Sequence, residues 1–483
     1  MTKKVLITNS IPYVNAAPHI GHVLEYVQSD VLARFHRQRG SEVFYLTGSD
    51  DNALKNVQVA EAKDVPTQKL VDQNAALFVK LKDKLEISRD GFIRTASKEH
   101  FAGAQKLWLA CKKSDIYKKS YEGLYCVGCE QFYLEDDLVD GKCPTHKKEL
   151  EQVAEENYFF KLTNYQEALE KLIAFDTLKI YPKSRRNEIL SFIKSGLQDF
   201  SISRSVERAR GWGVPVPGDK SQVIYVWFDA LSNYITGLGY GQEKNKNYKN
   251  FWSKKSFKAH VIGKDIIRFH TVYWPAMLLS AGLPLPNAVY VHGFLTVDGH
   301  KMSKSLGNVV DPFDLIKRFG TEPVRFYFTK HVSTTQDGDY SEDRFKEAYN
   351  ADLANGLGNL VSRVAGLIEQ NNVKITSGRE SANLKAQAEI DAAIEEFDFT
   401  RALELIWFNV QLTDQLISEA RPWDLAKARA DKKLETVLSE AAGNILAIGE
   451  ALIPFLPQTA EKIVKQFSAK KIKKGKPLFE RIK

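Results

Sequence analysis

Over the first part of the chain, short runs rich in β-branched residues alternate with longer stretches whose apolar residues recur every three to four positions. The opening KVLITNS has the composition of a buried strand, and from His19 the spacing of Val23, Val27, Val31 and Phe35 predicts a helix ending near Gly40. EVFYLTG predicts a second strand that leads into helical spacing from about Asn52. Pro66 and Thr67 then open another helix, and Ser97 caps one running to Lys113. Strands alternating with helices predict a parallel sheet. At about residue 115 the rhythm breaks into short strands and acidic turns; SQVIYVWFDALSNYI and KAHVIGKDIIRFHTVYWPAMLLSAG then restart the strand-to-helix pattern. The reading is an α/β domain at 1–114 and 219–343, split by an insertion at 115–218. From Arg344 to about Lys470 nearly all of the chain has the period of long amphipathic helices, which sets 344–483 apart as α-helical.

Length agrees with several units, since 483 residues exceed what one hydrophobic core organises. With 43% hydrophobic and 27% charged residues the composition is that of a soluble globular chain. No apolar run, NILAIGEALIPF included, reaches the ~20 residues of a spanning helix, and MTKKVLITNS is too short for a secretory signal. A cytoplasmic protein without a membrane partner is therefore expected. The formal net charge of +8 favours a polyanionic partner only mildly. Cysteine usage says more. Four cysteines do not make a disulfide framework, but CVGC and CPTH place Cys126, Cys129, Cys143 and His146 as three thiolates and an imidazole with metal-ligand spacing. Four protein ligands leave no open position, so one structural Zn²⁺ is expected; Cys111 lies apart and reads as a buried helix residue.

Two further motifs carry chemistry. PHIGH puts His19 and His22 in the first strand-to-helix turn, where amide donors and imidazoles can meet a phosphate, and Gly21 lets a nucleotide base approach the backbone. By themselves two histidines at a helix start are more often ordinary caps or surface residues. KMSKS, residues 301–305, sits in a turn-rich loop with Asp298, Gly299 and Gly307; Lys301 and Lys304 suit the charge moving onto a leaving diphosphate, and alone would read as a basic surface turn.

Together and in this order, the two motifs resemble the signatures of class I aminoacyl-tRNA synthetases. The wider text, including YVWFDALSNYI, VIGKDIIRFHTVYWPAMLLSAGLPLP, VHGFLTVDGHKMSKSLGN and NADLANGLGNLVSR, is similar to the methionyl-tRNA synthetase family over essentially the full chain. The resemblance implies a Rossmann-like parallel-sheet catalytic domain split by a zinc-knuckle connective insertion and followed by an α-helical anticodon-binding bundle. It implies ligation of L-methionine to tRNA(Met) through methionyl-adenylate, with ATP and Mg²⁺. The implied methionine pocket is Ile11, Tyr13, Asp50, Trp227, Ala230, Tyr234, Phe269, His270 and Trp274, with Asp50 on the substrate ammonium and aromatic walls around the thioether. Without the family, those aromatics read as core. ATP would meet His19, Gly21, His22, Lys301 and Lys304, with Asp265 on the ribose and Glu25 close by, while Asn359, Arg363 and Trp423 match positions that contact the anticodon.

One departure stands out: where the family has an acidic pair followed by His and Gly, this chain reads GSDDNALK, with Asn52 and Ala53 in their place. A catalytically inactive tRNA-binding relative and a nucleotidyltransferase acting on a small molecule are the competing readings. The insertion is too short for the editing domain of leucine, isoleucine or valine enzymes. A monomer is expected because no appended oligonucleotide-binding domain follows the helical segment.

Overall fold

The structure is a computed structural model that describes residues 2–126, 131–133, 135–144, 147–302, 307–375 and 384–482. The chain separates into two compact units: Met1–Pro18, Gly40–Lys82 and Ser88–Val291 in the first; His19–Arg39, Asp83–Ile87 and His292–Lys483 in the second.

The first unit is built on a parallel sheet of β1 (Lys4–Asn9), β2 (Glu42–Ser49), β3 (Gly91–Arg94), β4 (Lys179–Tyr181), β5 (Phe257–Gly263) and β6 (Ala288–His292). Their spatial order is β3-β2-β1-β5-β6-β4. Val5, Leu6 and Ile7 are fully buried, as a parallel strand covered on both faces demands. The registers Val5↔Val43 and Val5↔Phe257 put β1 between β2 and β5, where the order of strands reverses. Ligands of open α/β sheets bind beyond the strand ends at such a point.

Two features were not legible in the sequence. The strand Asp219–Ile224 ahead of VWFDAL runs antiparallel to Ser203–Ser205 and Pro215–Val216 in a separate small sheet. The turns that join these strands are too short for the crossover a parallel pair needs. The segment read as an insertion also supplies β4, the edge strand paired in parallel with β6, besides its own antiparallel strands Ile116–Cys126 and Glu151–Phe160. The helix expected to reach Lys113 ends at Ala110, because Cys111 turns to ψ 145°, outside the helical range.

The second unit joins α1 (Ile20–Gln38) to the C-terminal helices Asn359–Gln370, Phe399–Ala420, Asp431–Ala451 and Pro457–Phe467. In Phe399–Ala420 the buried residues Leu403, Ile406, Val410, Thr413 and Ile417 keep the three-to-four spacing of one helical face. Arg325, fully buried, spans this unit: its guanidinium donates to the carbonyls of Leu85, Pro454 and Phe455 and meets Asp30 of α1 at 2.8 Å. Among the described residues no helix is long and apolar enough to cross a membrane.

Candidate functional site

Within the first unit, most residues expected around the amino acid are joined by direct contacts. Ile11 and Tyr13 follow the end of β1, and Tyr13 forms an isolated parallel bridge with Asp50, just past β2. Gly48 leaves no room for a side chain, since a Cβ there would lie 2.3 Å from the Ile93 carbonyl oxygen and 2.9 Å from Ile11. Asp50 is buried, and its Oδ1 accepts from the Asn52 amide at 3.1 Å and from Thr95 Oγ1 at 3.3 Å. Tyr13 and Trp227 both pack on Ala53, Tyr225 and Val226.

The neighbouring side chains are aromatic. Trp227, on the short helix Val226–Leu231 that also carries buried Ala230, lies face to face with Phe269 at 3.8 Å between centroids and 5° between planes. Phe269 and His270 belong to one widened helical turn, Phe269–Tyr273, in which the Trp274 amide reaches back to the Phe269 carbonyl. Such π turns collect at functional sites. His270 Nδ1 lies 2.9 Å from the Ile266 carbonyl, which can only accept, so Nδ1 carries the hydrogen. Nε2 of the neutral ring is then the acceptor, and the Tyr234 hydroxyl donates to it at 2.6 Å. Burial holds the His270 pKa down at about 4, so the ring is neutral at physiological pH. Trp274 is fully buried behind Tyr234, with ring centroids 6.2 Å apart. Asp265 is exposed, in the 3-10 turn Lys264–Ile266 that follows β5.

A second cluster belongs to the other unit. His19 is the N-cap of α1: its Nδ1 accepts from the Gly21 amide at 3.1 Å, while His22 Nδ1 accepts from the His19 amide at 3.1 Å. The capping alternative is therefore true, and it is compatible with chemistry. An Nδ1 that accepts a backbone N–H holds no proton, so each neutral ring carries its hydrogen on Nε2. Burial lowers the His19 pKa to about 4, which keeps that tautomer at neutral pH. A Cβ at Gly21 would come within 2.9 Å of the His19 ring, so glycine is required for the imidazole's placement. Glu25 is buried and paired with His292 at 3.0 Å, a partner that the sequence reading missed although VHGFL lay in view. Lys301 ends the hairpin Leu295–Val297/His300–Lys301, whose Asp298 and Gly299 take the positive φ of a two-residue turn. Lys304 lies outside the described residues.

The chain matches the family model for tRNA synthetases class I (M) over residues 5–154 and 146–365. It is 42% identical to the methionine–tRNA ligase of Clostridium acetobutylicum, over 99% of this chain and 78% of that one. It is 40% identical to that of Brucella suis, covering 96% of this chain and 91% of the relative. The Mycobacterium tuberculosis methionyl-tRNA synthetase in complex with methionyl-adenylate superposes with a TM-score of 0.89 at 36% identity, over 96% of this chain and 94% of that one. This chain belongs to the methionyl-tRNA synthetase family.

Against that family background, the GSDDNALK departure has a structural account. Ala53 is extended at φ −62° and fully buried, so its position needs no glycine and its methyl fills space beside Tyr225 and Val226. Asn52 is buried, its side-chain amide donating to the Thr95 carbonyl at 2.9 Å and to Asp229 Oδ2 at 2.7 Å.

Of the four expected zinc donors, Cys126 closes the strand Ile116–Cys126 and Cys143 follows the Val139–Lys142 bridge; both thiols are buried, with Cys143 Sγ 3.9 Å from the Tyr133 hydroxyl. Cys129 and His146 lie outside the described residues, and among those described no group of three or more His, Cys, Asp or Glu gathers to hold a metal. Three thiolates and an imidazole are donor types that suit zinc. Cys111 is buried well apart from them, its thiol pushed up to about 12 by desolvation.

The anticodon candidates lie on the surface of the helical part. Asn359 opens Asn359–Gln370 and is exposed; Arg363, one turn on, is held by the Asp414 carboxylate at 3.0 Å. Trp423, just after the helix-opening Pro422, is 38% exposed.

Proposed function

We propose that this chain is a methionine–tRNA ligase that activates L-methionine with ATP and transfers the methionyl group to the 3′-terminal adenosine of tRNA(Met). The observation that carries the residue-level reading is a buried carboxylate, Asp50, bridged to Tyr13 and followed by the stacked Trp227–Phe269 pair and the Tyr234–His270 hydrogen bond. A carboxylate suits the substrate ammonium, and polarisable rings suit a thioether.

In the first step the methionine carboxylate attacks the α-phosphorus of ATP, the bond to the β-phosphate breaks, and diphosphate leaves with the electron pair. In the second, a ribose hydroxyl of the tRNA attacks the carbonyl carbon and AMP departs. The protein supplies no nucleophile, so its contribution is alignment and charge stabilisation. Neutral His19 and His22, with their Nδ1 atoms engaged by backbone amides, have Nε2–H donors for phosphate oxygens. Lys301 and Lys304 neutralise the departing diphosphate as point charges on flexible stems. Asp265 takes the ribose, and Glu25, fixed by His292, orders the nucleotide side. Mg²⁺ bound with ATP would offset its phosphate charge. Cys126, Cys129, Cys143 and His146 would hold one structural Zn²⁺ that would tie the insertion together, a reading supported by the spacing and by burial of the two described thiols. Asn359, Arg363 and Trp423 read splayed anticodon bases by hydrogen bonds and stacking.

Methionine-dependent exchange of diphosphate into ATP, run with each standard amino acid separately, tests the activation step. Exchange with methionine alone is the expected result. Exchange with another amino acid reassigns the pocket, and none at all in tRNA-binding protein overturns the catalytic reading.

A further inference from the structure

The loop after β2 carries Asp50, and the helix Val226–Leu231 carries Trp227 and Ala230; a chain of buried polar groups connects the two. The Asn52 backbone amide donates to Asp50 Oδ1 at 3.1 Å and to Thr95 Oγ1 at 3.2 Å. Its side-chain amide spends one hydrogen on the Thr95 carbonyl at 2.9 Å and the other on Asp229 Oδ2 at 2.7 Å. Asp229, two residues past Trp227 and next to Ala230, uses its second oxygen for His100 Nε2, and His100 Nδ1 meets Thr236 Oγ1 at 2.8 Å. Thr236 closes the short helix Asn233–Thr236 that holds Tyr234. Exposure along the chain of contacts is 0% at Thr95 and His100, 1% at Asp229, 3% at Thr236 and 7% at Asn52, so no water-facing group shares the load.

We propose that Asn52 is a positioning residue for the amino-acid site: through Thr95 on one side and Asp229 on the other, it holds the Asp50 carboxylate and the Trp227–Ala230 wall at one spacing. The proposal rests on the methionine reading above. Its physical basis is a count of hydrogens. The loop carbonyl of Thr95 and the carboxylate of Asp229 both need a donor, and an Asn side chain offers two N–H bonds from a single nitrogen one carbon beyond Cβ. Alanine or aspartate there offers none and leaves a buried carboxylate short of a partner, which the chain relieves by moving the loop or the helix. Either movement changes the distance between the ammonium site and the thioether wall. Catalytic sites are sensitive to displacements on the order of 1 Å.

The test compares Asn52→Ala, Asn52→Asp and the exchanged pair Asn52→Asp/Asp229→Asn. In the exchanged pair the new amide on residue 229 donates to the new carboxylate on residue 52 and its oxygen still accepts from His100, so the link to the Trp227 helix is restored while the Thr95 carbonyl stays without its donor. Diphosphate exchange is measured as separate KM values for methionine and ATP, with thermal melting as a fold control. The expected result is a methionine KM raised roughly tenfold or more in both single variants, an ATP KM within about twofold of wild type, and a partial recovery in the exchanged pair relative to Asn52→Asp. An unchanged methionine KM, equal increases in both KM values, or an exchanged pair no better than Asn52→Asp would overturn the proposal. Should Asn52→Ala fail to fold, Asn52→Asp against the exchanged pair carries the same comparison. Loss of methionine-dependent exchange in the wild type marks failure of the underlying reading instead, and is seen before any variant is made.

Discussion

At the residue scale, His19 does two jobs with two nitrogens. Nδ1 caps α1, and the proposed function gives Nε2–H to phosphate. The two are separable, because asparagine is among the best N-caps and its side-chain oxygen reproduces the bond to the helix amides. His19→Asn should therefore keep the melting temperature of wild type while kcat for diphosphate exchange falls by about 10²- to 10³-fold, the usual cost of one transition-state donor. His19→Ala should lose both. An active His19→Asn enzyme would leave the imidazole only its capping role. The buried imidazoles also predict a pH dependence. His19 and His270 titrate at about 4 in the folded chain against 6.5 when unfolded, so on acidification the unfolded state takes up protons first. Their effect is nil above 6.5, and stability falls as pH drops from 6.5 toward 4. Replacing His270 by glutamine should flatten that slope in denaturant titrations; an identical slope would show that other groups set the acid response.

At the element scale, α1 is fastened by its polar groups as much as by its apolar face. Asp30, fully buried on α1, meets both Arg34 and Arg325, and Arg325 spends its remaining donors on three carbonyls of the same unit. Truncation of Arg325 to alanine leaves a buried carboxylate with less countercharge and three carbonyls without donors. A loss of about 3 to 5 kcal/mol is expected by urea unfolding. Lysine restores the charge but not the planar fork that reaches several acceptors at once, so Arg325→Lys should recover only a minor part. Full recovery by lysine would mean that charge alone matters.

At the scale of the whole molecule, the proposed amino-acid pocket and the proposed anticodon contacts fall in different units. Asn359, Arg363 and Trp423 belong to the second unit, and the residues proposed for the methionine pocket to the first. Trp423→Ala should lower kcat/KM for aminoacylation by roughly tenfold to a hundredfold, in line with about 1 to 3 kcal/mol for a stacked base, while diphosphate exchange without tRNA stays at the wild-type rate. A parallel loss in both assays would make Trp423 a folding residue. Zinc is assigned to the knuckle alone, so Cys126→Ser should release one equivalent of metal and lower the melting temperature. Retention of a full equivalent would remove Cys126 from the ligand set.

The sequence by itself determined whatever depends on local chemistry and on period: the buried strand before PHIGH, the capped helix at Ser97, the amphipathic helices after Arg344, the cysteine spacing and the order of the two signature motifs. These are legible because side-chain period and turn chemistry act over a few residues. Only the tertiary structure decided that Asp219–Ile224 pairs antiparallel, that Lys179–Tyr181 completes the parallel sheet from inside the insertion, and that Glu25 is partnered by His292. It also decided what Asn52 does, since the acceptor of its amide lies 177 positions away at Asp229. Strand direction and buried polar partners are fixed by which distant segments meet, and a hydrophobic pattern holds no information on that: a β-branched run reads the same in either direction, and an asparagine reads the same whether or not a carboxylate awaits it.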